Sequence, residues 1–451
     1  MLKLLGLDIG TTTISGVVID RDTGELLASL TLKNDSPIET PDSPFRKCQD
    51  AKRIEEIVRN IKSELTEKVG GVDAVGVTGQ MHGVVYINSE GEAISPLYTW
   101  QDGAGSLAHG DTTYSEYLST ITGYKLASGY GLVTHYVNRE LGEVPDGVRT
   151  ICTIHDYIAM SLCGKTQPNM HSSDAASFGC FDLSRMDFDE AALENLKISR
   201  SLLPEVVDDA ACVGKDESGA PVSVAIGDNQ ASVIGSLKDG KVLVNIGTGS
   251  QVSVVTEDTV SYSGETRPLS GKEKLLVGAP LCGGRAFSLL NKFFAECGRL
   301  FGNEAVNVYE VMDRIAEADA ECHPLDVDTR FCGTRENPNL KGSISGITEE
   351  NFSAANLTRG FLFGMATELY SYYEEMKSFL DAPPKYIVGS GNAIRKSPVL
   401  RQYIADVFGA PVVIPHHTEE AAFGAALFGG VAAGFYDDLK VAQAKTIKYF
   451  E

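Results

Sequence analysis

The sequence predicts an α/β protein whose two domains face each other across a cleft. One observation is the length of 451 residues, which is enough for roughly two or three domains. Another is a unit of strand, glycine-rich turn and strand that occurs at the start and again near residue 245. Helical and strand patterns follow each copy, which we interpret as an internal duplication. We expect residues 1–237 to form the N-terminal domain and residues 238–451 the C-terminal domain.

The N-terminal half begins with alternating strand patterns and a hairpin turn at residues 22–24. In order, it predicts three consecutive antiparallel strands, a helix and a further strand, at residues 1–8, 14–20, 26–33, 54–65 and 74–78. Residues from about 90 to 225 do not fit the repeated pattern. We expect them to be insertions in the first domain.

The C-terminal half repeats the start and ends in helices. We predict strands at residues 241–246 and 251–256, with a glycine-rich turn between them at residues 247–250. Ser397 is the predicted N-cap of a helix and Pro398 its first residue. This helix continues through Phe408 and ends at Gly409. Thr418 predicts the cap of another helix, whose body at residues 421–433 is rich in Ala and Gly and so suits close packing.

Composition excludes several function classes. The formal net charge of -22 argues against binding nucleic acid or an anionic membrane, because both need clustered Lys and Arg. A nucleotide remains compatible with this charge, since backbone N–H groups and a metal ion neutralise phosphate locally. The nine Cys residues form no C-x-x-C pair, which favours reduced thiols. With neither a signal-peptide pattern nor a membrane-spanning apolar run in the sequence, we expect a cytoplasmic protein.

Two glycine-rich turns predict phosphate binding. The first runs from Asp8 to Thr13 and the second from Asn245 to Ser250, and each lies between two predicted strands. Small residues let a backbone approach phosphate closely, and hydroxyls add donors. An acid beside phosphate implies a divalent cation between them, so we expect Asp8 to hold Mg²⁺ through water. The first turn lacks a Walker A Lys, and the alternative is an ordinary turn with Gly at positive φ.

Asp228 is the candidate general base. It follows an apolar strand and precedes an apparent helix at residues 230–237, which places it at a carboxyl strand end, where α/β folds bind ligands. A carboxylate there suits removal of a proton from an attacking hydroxyl. The alternative is an Asp that caps the helix. Asn229 has an amide suited to a polyol hydroxyl.

A second set of residues has the chemistry of a polyol site. Met81 and His82 follow a strand end, and a thioether and an imidazole suit a sugar's carbon chain and hydroxyls. Trp100 and Asp102 add an aromatic face and a carboxylate. The alternatives are a structural His and a Trp that only fills the core.

A strand that runs into glycines near the C-terminus, Tyr386 to Asn392, suits an adenosine site. Flat contact with a base needs absent side chains, and Asn392 has an amide for a ribose or adenine edge. The alternative is an ordinary turn from strand to helix.

Together these motifs resemble the FGGY carbohydrate kinases, whose fold belongs to the actin/Hsp70/hexokinase class. The matching segments occur in the expected order over nearly the full length, at residues 6–12, 79–83, 227–232, 245–250 and 389–392. The resemblance implies two actin/hexokinase-like (ribonuclease H-like) domains flanking an interdomain cleft. It also implies in-line phosphoryl transfer from MgATP to a terminal ketose hydroxyl, with Asp228 taking the proton.

The resemblance further assigns roles to individual residues. The phosphates would be held by Thr11, Thr12, Gly247, Thr248 and Gly249, and adenosine by Gly389, Gly391 and Asn392. The sugar would be held by Met81, His82, Trp100, Asp102 and Asn229. The implied partners are a small-molecule ketose and ATP, with neither nucleic acid nor membrane, and family analogy is compatible with a homodimer.

Within this family the chain looks most like sedoheptulokinases, which implies sedoheptulose 7-phosphate as product. The stretches that carry this likeness are residues 99–103, 153–157, 173–179, 329–335 and 342–346. D-Xylulose, giving xylulose 5-phosphate, is the alternative substrate, because xylulokinases share Gln-Met-His-Gly. Ala104 departs from the Arg that the family often has there, which puts the substrate preference in doubt. Two alternatives of another class are an actin- or Hsp70-like ATPase and a catalytically silent sugar sensor.

Overall fold

The computed structural model describes residues 1–247, 249–257, 262–302, 307–318, 325–334, 337 and 339–450. The chain forms two compact units. Unit 1 comprises Met1–Lys238, Arg267–Glu273 and Glu419–Ile447, and unit 2 comprises Asp239–Thr266, Lys274–Thr418 and Lys448–Glu451. The domain division after residue 237 and the expected cleft stay predictions.

The described elements follow in chain order. The strands are β1 (Lys3–Ile9), β2 (Thr13–Asp20), β3 (Leu26–Lys33), β4 (Pro37–Ile38), β5 (Cys48–Gln49), β6 (Ala74–Gly79), β7 (Val85–Ile87), β8 (Leu97–Tyr98), β9 (Ala108–His109), β10 (Thr112–Thr113), β11 (Thr150–Cys152), β12 (Asn169–His171), β13 (Phe181–Asp182), β14 (Asp187–Phe188), β15 (Glu205–Val207), β16 (Cys212–Lys215), β17 (Pro221–Ser223), β18 (Ile226–Gly227), β19 (Val242–Ile246), β20 (Ser250–Thr256), β21 (Glu265–Ser270), β22 (Glu273–Gly278), β23 (Asp326–Asp328), β24 (Ser343–Ser345), β25 (Ile387–Ser390), β26 (Val412–Pro415) and β27 (Tyr449–Phe450). The α-helices are α1 (Ala51–Val69), α2 (Tyr114–Thr122), α3 (Gly131–Glu140), α4 (Ile154–Leu162), α5 (Ser172–Phe178), α6 (Glu190–Asn195), α7 (Asp228–Ser236), α8 (Gly284–Leu300), α9 (Val308–Ala318), α10 (Ala354–Met376), α11 (Asn392–Lys396), α12 (Pro398–Phe408), α13 (Glu420–Ala432) and α14 (Leu439–Thr446). Short 3₁₀ helices lie at Ala104–Ser106, Arg200–Leu202 and Lys377–Phe379.

The main sheet of unit 1 has the strand order β16-β17-β6-β1-β2-β3, and β18 also pairs with β6. The three predicted antiparallel strands are present as β1, β2 and β3. β6 runs parallel to both β1 and β18, with Gly79 opposite Ile9 on one side and Gly227 on the other. The carboxyl ends of these three strands therefore meet at one edge of the sheet.

Helix α1 covers part of this sheet and is set by its sequence. Its N-cap Asp50 accepts hydrogen bonds from the backbone N–H groups of Lys52 and Arg53, and Gly70 ends it in the left-handed conformation. Apolar residues at helical spacing from Ile54 onward are buried, as their periodicity predicts.

Helix α13 packs directly on β1 and β6 through glycine. An added Cβ at Gly6 would lie 1.8 Å from the carbonyl oxygen of Ala422, and one at Gly76 would lie 1.7 Å from that of Ala425. No side chain fits at either strand position, so the helix backbone lies against the sheet. The predicted cap at Thr418 is wrong, because the residue before α13 is Glu419, whose side chain makes no capping hydrogen bond.

Unit 2 has a second sheet, in which β22, β20, β19, β25, β26 and β27 are neighbours in that order. Its β19–turn–β20 hairpin is antiparallel and β25 runs parallel to β19, as β6 does to β1. The same strand arrangement in both units supports the predicted duplication. The predicted helix signals also occur, since Ser397 accepts from the N–H of Leu400, Pro398 opens α12 and Gly409 ends it at φ 71°.

Residues from about 90 to 225 form α2–α6, two-stranded ribbons and, near the end of this range, the main-sheet strands β16 and β17, all within unit 1. Their apolar side chains join the hydrophobic core that begins at Leu5, whereas unit 2 has its own core from Val242 to Ile414. Across the described ranges, we find no helix with the length and apolar character needed to cross a membrane.

Candidate active site

The shared strand edge of unit 1 brings three predicted site segments together. Asp8 lies near the end of β1, the Met81-His82 pair follows β6, and Asp228 follows β18. These segments are far apart in sequence, and only the parallel pairing of their strands makes them neighbours. The edge therefore combines an acid beside a glycine-rich turn, an imidazole and a second acid.

Asp228 is the first residue of α7, which begins two residues earlier than predicted. The N-cap is Gly227 and no side chain caps the helix, so the alternative of an Asp that serves as the cap is not observed. Burial raises the pKa of Asp228, and the charges of His155 and Arg267 oppose that rise. The carboxyl group thus has a pKa above its usual range, which is the direction that suits a general base.

Asp8 has an environment that fits a cation. Its Oδ1 atom is buried and has no hydrogen-bond partner within the described part of the chain. Burial, followed by the charges of Asp228 and Glu419, raises the pKa of Asp8 to about 7, although His155 acts in the opposite direction. Among the residues described, no group of three or more His, Cys, Asp or Glu could hold a metal by itself. A Mg²⁺ ion at Asp8 would therefore take most of its ligands from water and substrate oxygens.

The turn after β1 is held by a small hydrogen-bond network. The hydroxyl of Thr11 accepts from Trp100 Nε1 at 3.0 Å and donates to Gln80 Oε1 at 3.2 Å. Gln49 donates to the carbonyl of Thr11 at 2.8 Å and accepts from Gln80 Nε2 at 2.8 Å. Thr12 is exposed beside it. Because Trp100 is 44% exposed, it is not a core filler, and its ring is fixed next to the predicted phosphate turn.

His82 is held in one orientation. Its backbone has φ 72°, which is uncommon for a residue with a side chain, and its ring stacks on Tyr130 at 4.6 Å. Its Nδ1 lies 2.8 Å from the carbonyl oxygen of Ser177 and must donate, because a carbonyl only accepts. Met81 is buried, and an added Cβ at Gly227 would lie 2.8 Å from its Sδ. Met81 therefore borders the residue just before α7, whereas His82 is held by Ser177 and Tyr130.

Asp102, a predicted sugar ligand, has hydrogen-bond partners within unit 1. Its carboxylate is fully buried, and Oδ1 accepts from Arg46 Nη1 and from the N–H of Ala104, both at 3.0 Å. Its Oδ2 accepts from the N–H of Lys47 at 3.2 Å. Both oxygens are thus used inside the protein, and the predicted sugar contact of Asp102 stays a prediction. Arg46 lies too far from Asp102 in sequence for any local pattern to reveal this pair.

Removing the Arg46 guanidinium is expected to destabilise unit 1. The Arg46→Met variant leaves the Asp102 carboxylate buried without its cation, so the free energy of unfolding should fall by about 3 kcal/mol. Urea denaturation followed by circular dichroism measures this change. The control is Arg53→Met, which removes an exposed pair with Asp35 and should have a much smaller effect. Equal losses in the two variants would contradict the importance of the buried pair.

Arg267 is a residue of this region that sequence reasoning missed. Its Nη1 donates to Asn229 Oδ1 at 3.0 Å, which fixes the amide beside Asp228. Its charge also lowers the pKa of Asp228, although burial is the larger influence. Arg267 follows Asp228 by 39 positions and lies on β21, so only the fold reveals the contact.

The predicted nucleotide segments of unit 2 also meet at one sheet edge. Asn245 lies opposite Ser390 on the parallel pair β19–β25, and Asn245 Nδ2 donates to Ser390 Oγ at 2.7 Å. An added Cβ at Gly247 or Gly249 would meet nothing within 4 Å, so the turn leaves open space there. The predicted phosphate ligand Thr248 lies outside the described residues.

The glycines of the predicted adenosine segment have packing reasons of their own. An added Cβ at Gly389 would lie 2.7 Å from the Ile394 side chain, and Gly391 has φ 84° and lies over the backbone of Ile246. No larger side chain fits at Gly389, because its Cα packs against the core. Asn392 is exposed at the first position of α11. The contact of these three residues with adenosine stays a prediction.

Comparison with known proteins places this arrangement in a family. The FGGY family of carbohydrate kinases has an N-terminal domain model that matches residues 3–244 and a C-terminal domain model that matches residues 242–433. The chain is 26% identical to the sedoheptulokinase of Homo sapiens over 472 residues, which cover 94% of this chain and 96% of that protein.

Solved structures of sugar kinases have the same fold. The xylulose kinase of Rhodospirillum rubrum has a TM-score of 0.84 at 22% identity and covers 100% of this chain and 93% of its own. The glycerol kinase of Plasmodium falciparum with ADP has a TM-score of 0.81 at 16% identity and covers 99% of this chain and 93% of its own. The predicted two-domain α/β kinase fold is confirmed. The chain is therefore a carbohydrate kinase and belongs to the FGGY family.

Proposed function

We propose that this kinase transfers the terminal phosphoryl group of ATP to the terminal hydroxyl of a ketose, and that sedoheptulose, giving sedoheptulose 7-phosphate, is its preferred substrate. The observation that carries the proposal is the strand edge of unit 1, where the segments with Asp8, His82 and Asp228 lie at the ends of neighbouring strands and His82 is held by Ser177. Similarity to the human sedoheptulokinase supports the substrate, and the ADP in the Plasmodium falciparum glycerol kinase supports the nucleotide.

In the proposed reaction, Asp228 accepts the proton of the sugar hydroxyl as its oxygen attacks the terminal phosphorus. The bond from that phosphorus to the bridging oxygen breaks, and ADP leaves with the electron pair. Arg267 holds the Asn229 amide in place for a neighbouring hydroxyl. His82 and Trp100 have fixed rings suited to the rest of the sugar.

The nucleotide would be held by residues of both glycine-rich turns. We assign the phosphates to Thr11, Thr12, Gly247, Thr248 and Gly249, and adenosine to Gly389, Gly391 and Asn392. Mg²⁺ bound through water at Asp8 would offset the negative charge of the phosphates. The partnerless Oδ1 of Asp8 supports this assignment.

The sequence left open a second ketose and a function of another class. Likeness to a xylulose kinase structure supports D-xylulose as the alternative ketose. Ala104 stands where the family often has Arg, so that side chain does not restrict the substrate here. An ATPase without a sugar substrate would need the two turns but not a fixed His82 and Trp100.

We also propose that the protein is cytoplasmic. A homodimer is a further hypothesis, which sedimentation measurements would test.

A coupled ADP-release assay over a ketose panel tests the proposed function. We expect sedoheptulose to give the highest kcat/KM, ahead of xylulose, ribulose and fructose, with glycerol as the control that lacks a ketone. Product identity should be checked by mass spectrometry, since transfer adds one phosphoryl group to the sugar. A higher kcat/KM for xylulose would overturn the sedoheptulose assignment. ADP release that is independent of every sugar would favour the ATPase.

A further inference from the structure

We propose that His155 and Asp174 form a buried ion pair that positions Asp228 and the end of β6 for phosphoryl transfer. This inference rests on the proposed role of Asp228 as the general base. His155 Nε2 lies 3.0 Å from Asp174 Oδ1, and both side chains are inaccessible to solvent. Neither atom has a hydrogen-bond partner elsewhere in the described ranges, so each charge compensates the burial of the other.

His155 packs against β6, the strand that lies between β1, which carries Asp8, and β18, which Asp228 follows. Gly79 is paired with Ile9 on one side and with Gly227 on the other. An added Cβ at Gly79 would lie 3.2 Å from the Cβ of His155 and 2.9 Å from the carbonyl oxygen of Ile9. The imidazole-bearing residue therefore fills the space beside the point where all three strands end.

Asp174 belongs to α5, a helix that holds two parts of the site. Ser173 Oγ accepts from the N–H of Gly227 at 3.1 Å, which fixes the residue just before Asp228. Ser177 Oγ accepts from the N–H of His82 at 3.1 Å. The pair with His155 attaches this helix to α4. A change in the pair is thus transmitted to the base and to the predicted sugar contact through named hydrogen bonds.

The charge pattern supports the same role. Several acids act on one another here, namely Asp8, Asp156, Asp174, Asp228 and Glu419. Burial alone would lower the pKa of His155, but the charge of Asp174 and its contact raise it to about 9, so the imidazole is a cation at neutral pH. The neighbouring His171 has its pKa lowered to about 4 by burial and stays neutral. The His155 cation therefore favours an ionised Asp228, against the effect of burial.

Kinetics of His155→Gln, Asp174→Asn and the double variant test the pair. We expect kcat for the ketose reaction to fall roughly 10- to 100-fold, because a displaced general base loses part of its usual 10²–10⁴-fold contribution. The KM values for sugar and ATP should change less than about threefold. The double variant should be no slower than the slower single variant, since the two residues act as a unit.

A matched control separates this role from general damage to the fold. His135 is a buried His on α3 that pairs with the Tyr86 hydroxyl, and His135→Gln should keep kcat within about twofold of the wild type. His155→Lys keeps a cation and should recover part of the kcat that His155→Gln loses. Circular dichroism checks that each variant folds. If His155→Gln does not fold, Ser173→Ala is used in its place, because it removes only the acceptor of the Gly227 N–H.

Three results would overturn the proposal: an unchanged kcat in the folded variants, a loss seen only in KM, or additive losses in the double variant. The Asp228→Asn variant distinguishes this failure from failure of the proposed function. If Asp228→Asn is inactive while His155→Gln is fully active, only the ion-pair proposal fails. If Asp228→Asn is fully active, the general-base assignment fails first.

Discussion

The Asp228→Asn variant is expected to lose turnover by roughly 10²- to 10⁴-fold, the usual contribution of a general base. The amide has nearly the same size as the carboxylate and keeps the start of α7 in place, but it does not accept the hydroxyl proton. Sugar affinity should stay within a few-fold of the wild type, because the fixed His82 and Asn229 are unchanged. Steady-state kcat and isothermal titration of the ketose measure the two quantities separately.

The control for this prediction is Asp20→Asn. Asp20 is also buried, and its Oδ1 accepts from the N–H groups of Asp22 and Thr23 in the turn after β2. This variant should cost stability but keep kcat within about twofold of the wild type. Wild-type turnover in Asp228→Asn would remove Asp228 from the mechanism.

The Asp8→Asn variant is expected to be more stable than the wild type in metal-free buffer at pH 8. Because the pKa of Asp8 is raised from 3.8 to about 7, the folded protein holds this proton more tightly than the unfolded chain does. The contribution of Asp8 to stability therefore falls as the pH rises from about 4 to about 7 and is constant above. Asn does not titrate, so the variant avoids this loss, which amounts to roughly 4 kcal/mol at most.

Urea denaturation at pH 5, 6, 7 and 8 with EDTA checks the prediction. The stability gap between Asp8→Asn and the wild type should widen with pH and level off near pH 8. Excess Mg²⁺ should narrow the gap, because a cation at Asp8 favours the ionised carboxylate. In the same variant the Mg²⁺ concentration needed for half-maximal turnover should rise. A variant that is less stable than the wild type at pH 8 would refute the electrostatic account of Asp8.

Much of the fold could be predicted from local pattern. The alternating strands at the start, the periodic helix after Asp50 and the cap at Ser397 each depend on nearby residues, and each forms as expected. The turn positions could be predicted for the same reason. The cap at Thr418 fails because α13 is set by close packing against β1 and β6, a tertiary effect that overrides capping preference.

The partners of the site residues could not be predicted in the same way. Arg46 reaches Asp102, Arg267 reaches Asn229 and the His155–Asp174 pair supports the strand edge, all across long sequence separations. Glu419 directly precedes α13, and its charge acts on Asp8, more than 400 positions earlier in the sequence. Such contacts depend on which strands become neighbours, and periodicity does not encode strand order.

The glycine-mediated packing of α13 has a consequence for biosynthesis. The sheet face around Gly6 and Gly76 is translated before the helix that covers it, α13, leaves the ribosome. Until then, the sheet face that packs on this helix stays uncovered on the nascent protein, where chaperones can bind it. Premature termination before Glu420 would release a polypeptide whose first sheet lacks its covering helix, and such a fragment is a substrate for quality-control proteases.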